Sequence, residues 1–251
     1  MKIRIKFRKY GTMKFIGHLD VMRYFQKAIR RADVDVCYSG GFSPHQIMSF
    51  AAPLGVGNTS NGEYVDIEVS STKDSETMKK CLNGVMSEGF EVVSYRGLPD
   101  DAANAMSIVG AGDYTLAFRP GYEPEDMDKE TWFQGLIAFF ERPSVMVTKK
   151  TKRGEKEMDL KPLVYELRIC PEGDGEMDGP RLFMKISAGS AANVKPEQVL
   201  DAYYGFLGKE RPPFAFMVQR EEVYADRASD AEKEAGIHSF ISLEQLGEEI
   251  R

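Results

Sequence analysis

An α+β fold with antiparallel sheets is what this sequence predicts, and three observations predict it. Residues 2–9 alternate strictly between charged and apolar side chains, the period of two of a half-buried strand. Over 19–32, Leu19, Met22, Phe25, Ile29 and Ala32 fall at helical spacing, while Arg23, Lys27, Arg30 and Arg31 gather on the opposite side. The order strand, helix, strands, helix, strand that begins there recurs in the second half of the chain. That order is the split βαβ, or ferredoxin-like, unit. The reading is therefore two such units in tandem, over 1–97 and 113–222, joined by a linker at 98–112 and followed by an acidic, helical extension at 223–251.

In the first unit, residues 34–39 and 46–53 are short strands around the connection Tyr38-SGGFSPHQ-Ile47. A second glycine-rich connection, LGVGNTSNG, spans 54–62. Residues 63–70 alternate again through Val65, Ile67 and Val69. A helix at about 74–88 follows, with Met78, Leu82, Val85 and Met86 inward, and then a strand at 90–96. LPDDAANAMSIVGAG breaks the periodicity and reads as the linker. In the second unit Tyr114, Leu116 and Phe118 alternate in a strand, and Trp132, Phe133, Leu136, Ile137 and Phe140 mark a helix over 125–141. A hairpin runs from 145–151 through Lys152-Arg153-Gly154 into 155–160. Strands at 163–170 and 181–187 flank PEGDGEMDG, and a helix near 195–207 and a strand at 214–222 close the set.

Composition bounds the class of protein. A chain of 251 residues with 42% apolar side chains can bury a core without disulfides or a structural metal. No apolar run approaches the ~18–20 residues of a membrane span, and MKIRIKFRKYG lacks the apolar stretch of a secretory signal. The cytoplasm, without a membrane partner, is the expected setting. Cys37, Cys81 and Cys170 lie far apart, which excludes a local zinc or iron–sulfur motif and suggests buried thiols. No phosphate-binding P-loop, dinucleotide fingerprint or nucleophile elbow occurs. The net charge of −6 conceals an asymmetry. Residues 1–31 hold ten Lys/Arg against Asp20 alone, whereas 221–251 hold nine Asp/Glu against three Lys/Arg.

The basic end supplies the main functional clue. If the apolar side of strand 2–9 meets the helices, Lys2, Arg4, Lys6 and Arg8 project from the other face of a central strand, where they repel one another unless an anion covers them. That anion is either a phosphate backbone or the acidic segment of the same chain. Lys14 adds to the cationic surface. Gly40 and Gly41 can admit a ligand close to backbone N–H groups, with Ser43 as a further donor and Phe42 free to stack on a base.

His18, at the start of the first helix, and His45, at the end of the glycine-rich loop, are the candidate catalytic pair. One would act as general base and the other as acid in metal-free RNA cleavage. As single histidines they are read first as a helix-start donor and a loop-packing residue. A metal held by His18, Asp20 and His45 is weaker still, since H-x-D is not a strong ligand motif. Asp66 and Glu68 are read as surface alternation, and Asp159 and Lys161 as a turn aspartate beside a solvated lysine.

Two families are resembled. From Arg4 the chain reads R-x-K-F-R-K-x-G-x-x-x-F-I-G-H-L-D, then R-x-x-x-x-A-I-R-R-A, Y-S-x-G-F-S-P-H, A-x-P-L-x-V-G and E-Y-x-D-I-E, with Met158-DLKP-Leu163 in the second half. These motifs resemble a family of radical SAM-linked bacterial proteins of unknown function, found alone or joined to the C-terminus of a cobalamin-binding radical SAM protein. The resemblance implies a radical SAM partner and assigns no catalytic residue. The chain lacks the three-cysteine cluster motif of such a partner, so it is not itself the radical enzyme. In architecture it is also similar to RNA-processing endonucleases of the CRISPR repeat-associated class.

The resulting expectation is an accessory protein, without a cofactor and not catalytic on its own. It would bind tRNA or rRNA and present it to a radical SAM modification enzyme. The alternatives are a metal-independent endoribonuclease using His18 and His45, and a protein–protein assembly module without nucleic-acid contact.

Overall fold

A computed structural model of the protein, described for residues 1–151, 154–170, 177–189 and 192–251, is mixed α+β with antiparallel strand pairing. It divides into two compact units, residues 1–110 with 220–251, and residues 111–219. In chain order come β1 (Lys2–Lys9), α1 (His18–Arg31), β2 (Met48–Phe50), β3 (Thr59–Glu68), α2 (Ser75–Asn83), β4 (Phe90–Leu98), α3 (Ala105–Ile108) and β5 (Val109–Phe118). Then follow α4 (Lys129–Phe140), β6 (Met146–Thr151), β7 (Gly154–Asp159), β8 (Val164–Cys170), β9 (Arg181–Ser187), α5 (Pro196–Phe206), β10 (Phe216–Asp226), α6 (Asp230–Glu234), β11 (Phe240–Ser242) and β12 (Glu248–Glu249). None of the described helices is long and apolar enough to cross a membrane.

In the first unit β1 is central, antiparallel to β3 on one side and to β4 on the other. Its alternation is realised as expected. Ile3, Ile5 and Phe7 are fully buried in one core with Val21, Phe25 and Ile29 of α1 and Met78 and Leu82 of α2. Each such burial is worth roughly 1.5–3 kcal/mol. The Phe7 and Phe25 rings lie 4.4 Å apart. β2 pairs with the C-terminal end of β3. From Arg220 onward, β10 neighbours β3. Gly62 permits that approach, since a Cβ there would meet Glu221 O at 2.8 Å and Glu222 Cα at 2.9 Å.

Several expectations for this unit are corrected. Residues 34–39 make only the isolated bridges Val36↔Val69 and Tyr38↔Gln46. Their backbone groups divide between two partners, Cys37 N–H donating to Glu68 O and Cys37 O accepting from Ile47 N–H, so no ladder extends. The expected linker holds the end of β4, α3 and the start of β5. It is tied to the sheet where Ala105 N–H donates to Asp66 Oδ2 at 3.0 Å.

The segment after 222 is neither mainly helical nor a separate extension. Its helix α6 has five residues, Leu243 is fully buried, and Ile250 packs on the first unit's core. Ser75 and Ile250 bond reciprocally, Ser75 N–H to Ile250 O at 2.9 Å and Ile250 N–H to Ser75 Oγ at 2.8 Å. The cysteines are free and half-buried instead of fully buried.

In the second unit β9 pairs with both β5 and β8. An aromatic core fills it: Phe118 lies 5.3 Å from Phe133 and 4.5 Å from Phe216, and Trp132 lies 4.8 Å from Tyr203. β6 and β7 form the expected hairpin, in register Met146↔Asp159. Residues 152 and 153 of its turn, and 171–176 of the PEGDGEMDG loop, lie outside the described residues. Asp159 is the last residue of β7 instead of a turn residue, its Oδ1 accepting from the N–H groups of Val145 at 2.8 Å and Lys161 at 2.9 Å. Burial raises its carboxyl, and those backbone donors outweigh burial and hold it below the ordinary carboxylate range. Lys161 Nζ donates to Phe140 O at 2.5 Å, so it is bound instead of solvated.

Candidate nucleic-acid interface

The cationic face of β1 is where the sequence first directs attention, and the fold commits most of it internally. Arg4 is only 2% exposed. Its Nε and Nη2 each donate to an Asp66 oxygen at 2.8 Å, and its Nη1 donates to Leu243 O at 3.1 Å. Lys6 Nζ donates to Glu222 at 2.7 Å and to Glu244 at 3.1 Å. Tyr64 completes the cluster by donating to Glu222 Oε1 at 2.5 Å.

Burial pushes the Lys6 ammonium down, but the two glutamates outweigh it and hold the group above its usual range. Burial likewise pushes Glu244 up, and Lys6, Ser94 and Arg96 outweigh it, leaving the carboxyl below its usual range. Burial first and Glu222 second drive the Tyr64 hydroxyl far up, so it stays a donor.

The expectation of four cations exposed together is therefore corrected. Asp66 stands opposite Arg4 in the β1–β3 register, and β10 and the turn at Leu243–Leu246 bring the remaining carboxylates. Lys2 Nζ donates to Ala102 O at 2.8 Å. Arg8 is the most exposed of the four, and it too is engaged, by Asn61 at 3.0 Å and Glu91 at 3.2 Å. Of the two covers weighed for this strand, the chain itself supplies the partners: the acidic segment meets Lys6 and, through Leu243 O, Arg4, while Asp66, Ala102, Asn61 and Glu91 engage the rest.

Uncommitted charge lies instead on α1. Lys27 and Arg31 are exposed and meet no partner among the described residues, and Arg23 pairs only with its helix neighbour Asp20 at 3.3 Å. The glycine-rich loop sits against this helix, because Gln46 Nε2 donates to Gln26 O at 3.2 Å, one residue from Lys27. The loop is closed at its base by Ser39 N–H to His45 O at 2.8 Å and by the Tyr38↔Gln46 bridge. Its tip is open: Gly41 has φ +99°, a conformation that favours glycine, and a Cβ at either Gly40 or Gly41 would meet no atom within 4 Å. Phe42 is 113% exposed, and Ser43 beside it is exposed as well.

Lys14 stands 5.5 Å above the Phe15 ring, and its carbonyl accepts from Gly57 N–H at 2.7 Å, which brings the LGVGNTSNG loop against the turn that precedes α1. Phe15, Leu19 and Val56 are exposed there at 65%, 60% and 61%.

The two histidines take separate structural places. His18 meets Phe50 edge to face at 5.2 Å, and His45 Nδ1 lies 2.8 Å from Ser39 Oγ, the same hydroxyl that accepts from His45 N–H. Among the described residues no contact links them. Asp20 faces Arg23, and no three His, Cys, Asp or Glu side chains gather as a metal-binding group among the described residues.

A known family matches most of this sequence. The family described as an uncharacterized protein conserved in bacteria, DUF2344, matches residues 2–196. The chain belongs to that family. No curated protein matches the chain. The DUF2344 match includes α1, the Gly40–Gly41 loop, His18 and His45, and it ends before Glu222, Leu243 and Glu244. Those three partners of the β1 cations are not identifiable individually from sequence. The one signal pointing to them is the excess of acid after residue 221.

Proposed function

We propose that this protein binds structured RNA through the end of its first unit formed by α1 and the glycine-rich loops. It holds that RNA for a radical SAM modification enzyme. The observation that carries the RNA half is the pairing of unpartnered Lys27 and Arg31 with a neighbouring loop whose Phe42 is wholly exposed. Cations engage phosphates, and an exposed ring offers a stacking surface for an unpaired base. The radical SAM half rests on the motif resemblance, and the tandem ferredoxin-like reading of the two units rests on the recurring order of strands and helices. Phosphate contacts by Arg4 and Lys6 have no part in this proposal, since their donors face carboxylates.

The deciding experiment titrates bulk tRNA into the full chain at several salt concentrations, with wild type and Lys27→Ala/Arg31→Ala. A steep fall of affinity with salt, made shallower by the variant, is expected. Salt-insensitive binding, or the same slope in the variant, rejects the proposal.

A second reading takes the same surface as a protein-docking face. Leu19 and Val56 favour it, being exposed and apolar but unable to stack as aromatic rings do. Co-purification with a radical SAM protein that survives nuclease treatment and is lost in Leu19→Asp would support this reading. RNA cleaved in the presence of EDTA, with cleavage lost in His18→Ala or His45→Ala, would point to the ribonuclease alternative.

A further inference from the structure

The second unit contains a groove of about 540 Å3 that the RNA reading does not use. One wall is α5, through Gln198, Asp201, Ala202 and Phe206; the other is the start of β6, through Val145 to Thr148; Phe139 and Arg142 close one end. Ligand clefts usually fall between about 300 and 1,000 Å3.

Two features of this groove are unspent. The first is the edge of β6. Val145 O accepts from Leu160 N–H, and in an antiparallel ladder bonded and non-bonded pairs alternate, so Val147 faces Met158 as a bonded pair. The backbone N–H and C=O of Met146 and Thr148 then point away from β7. They make no hydrogen bond with any described residue.

The second feature is Arg142. Its guanidinium lies 4.1 Å from the Phe206 ring centre and 5.2 Å from that of Phe139, and those rings stack on each other at 4.9 Å. It makes no hydrogen bond or ion pair with a described residue, so its planar fork of donors is held in place and left open. The acid on the opposite wall, Asp201, is already matched by Arg211 at 2.6 Å. The unbalanced charge in the groove is positive.

We propose that this groove takes an extended peptide from a partner protein. The peptide adds as a strand to the Met146–Thr148 edge of β6 and places a carboxylate on Arg142 and an apolar side chain over Phe139 and Phe206. A row of outward backbone groups selects main chain, alternate pockets select side chains, and the forked cation selects the carboxylate.

The test screens a displayed random-heptapeptide library against the intact chain, then measures affinity of the enriched peptides by fluorescence anisotropy. Enriched peptides should share an acidic residue or free C-terminus at a fixed distance from an apolar one. Arg142→Ala should weaken them about tenfold or more, the usual scale for a charge-assisted bidentate contact. Thr148→Pro removes one outward N–H and leaves the β6–β7 bonds in place, as proline is tolerated at an edge, and it should weaken binding comparably. Thermal melting of both variants checks that the unit remains folded.

No enrichment, or enriched peptides that bind both folded variants as tightly as wild type, overturns the proposal. A concentration-dependent dimer of the free chain that Thr148→Pro dissolves would also overturn it, assigning the edge to a second copy.

Discussion

Arg4 and Asp66 face each other across β1 and β3 through two bonds of 2.8 Å, with the guanidinium shut away from water and the carboxylate half-buried. Such a pair is far more costly to halve than to replace. Asp66→Ala should destabilise the protein by about 3–5 kcal/mol, because it leaves a buried guanidinium uncompensated. It also removes the acceptor of Ala105 N–H. The double change Arg4→Met/Asp66→Leu should recover most of that loss, read as the urea midpoint at constant slope.

The Lys6–Glu244 contact sets a pH window. Glu244 is held below its ordinary range in the fold, so its contribution is fully present above the unfolded carboxyl's range and disappears as pH falls through the folded value. Lys6 is held above its range, so its contribution is present below the unfolded lysine's range and disappears as pH rises through the folded value. The stability gap between wild type and Glu244→Gln should therefore be largest near neutrality. It should shrink at pH 3, measured by denaturant titration at each pH.

Phe42→Ala should leave thermal stability within about 0.5 kcal/mol of wild type, since the ring touches solvent on all sides. Its RNA affinity should drop by about 1–3 kcal/mol if one base stacks there. An unchanged anisotropy titration would remove the loop tip from the interface.

For Lys27→Ala/Arg31→Ala, the slope of log affinity against log salt should lessen by about 0.7–0.9 for each phosphate no longer engaged. Arg4→Met/Asp66→Leu should leave that slope where it is, because Arg4's donors already point at a carboxylate and a carbonyl.

Gly62→Ala should cost about 1–3 kcal/mol through overpacking, because its methyl would press on the backbone of Glu221 and Glu222, which cannot rotate aside. Guanidinium unfolding followed by circular dichroism would measure the destabilisation.

Local pattern was legible wherever one element decides its own geometry. Ile3, Ile5 and Phe7 read as a strand face, and Phe25 and Ile29 as a helix face, because their burial follows from periods of two and 3.6 residues. What the opposite face of β1 meets was not legible residue by residue, since Glu222 and Glu244 lie 216 and 238 positions from Lys6. Charge counts offered the acidic end as one of two candidate covers, and no periodicity says where it lands. Residues 34–39 failed as a strand for a related reason: Val34 and Val36 are buried as a strand would bury them, but neither neighbour runs alongside for more than one bridge. On the candidate site, the sequence placed Phe42 and Gly41 at an open turn and recognised the α1 stripe, while ranking the stripe below a strand that proves to be self-neutralised.

The bond from Arg4 to the carbonyl of Leu243 joins positions 239 residues apart. At about 5–20 residues per second, a ribosome needs roughly 12–48 seconds to supply the second of them after the first. Through that interval the nascent first unit has its opening strand but lacks its covering segment. It is a time when chaperones, or any passing polyanion, would find Lys6 without its glutamates and Arg4 held by Asp66 alone, and pulse-labelling of stalled chains would register how long that opening lasts.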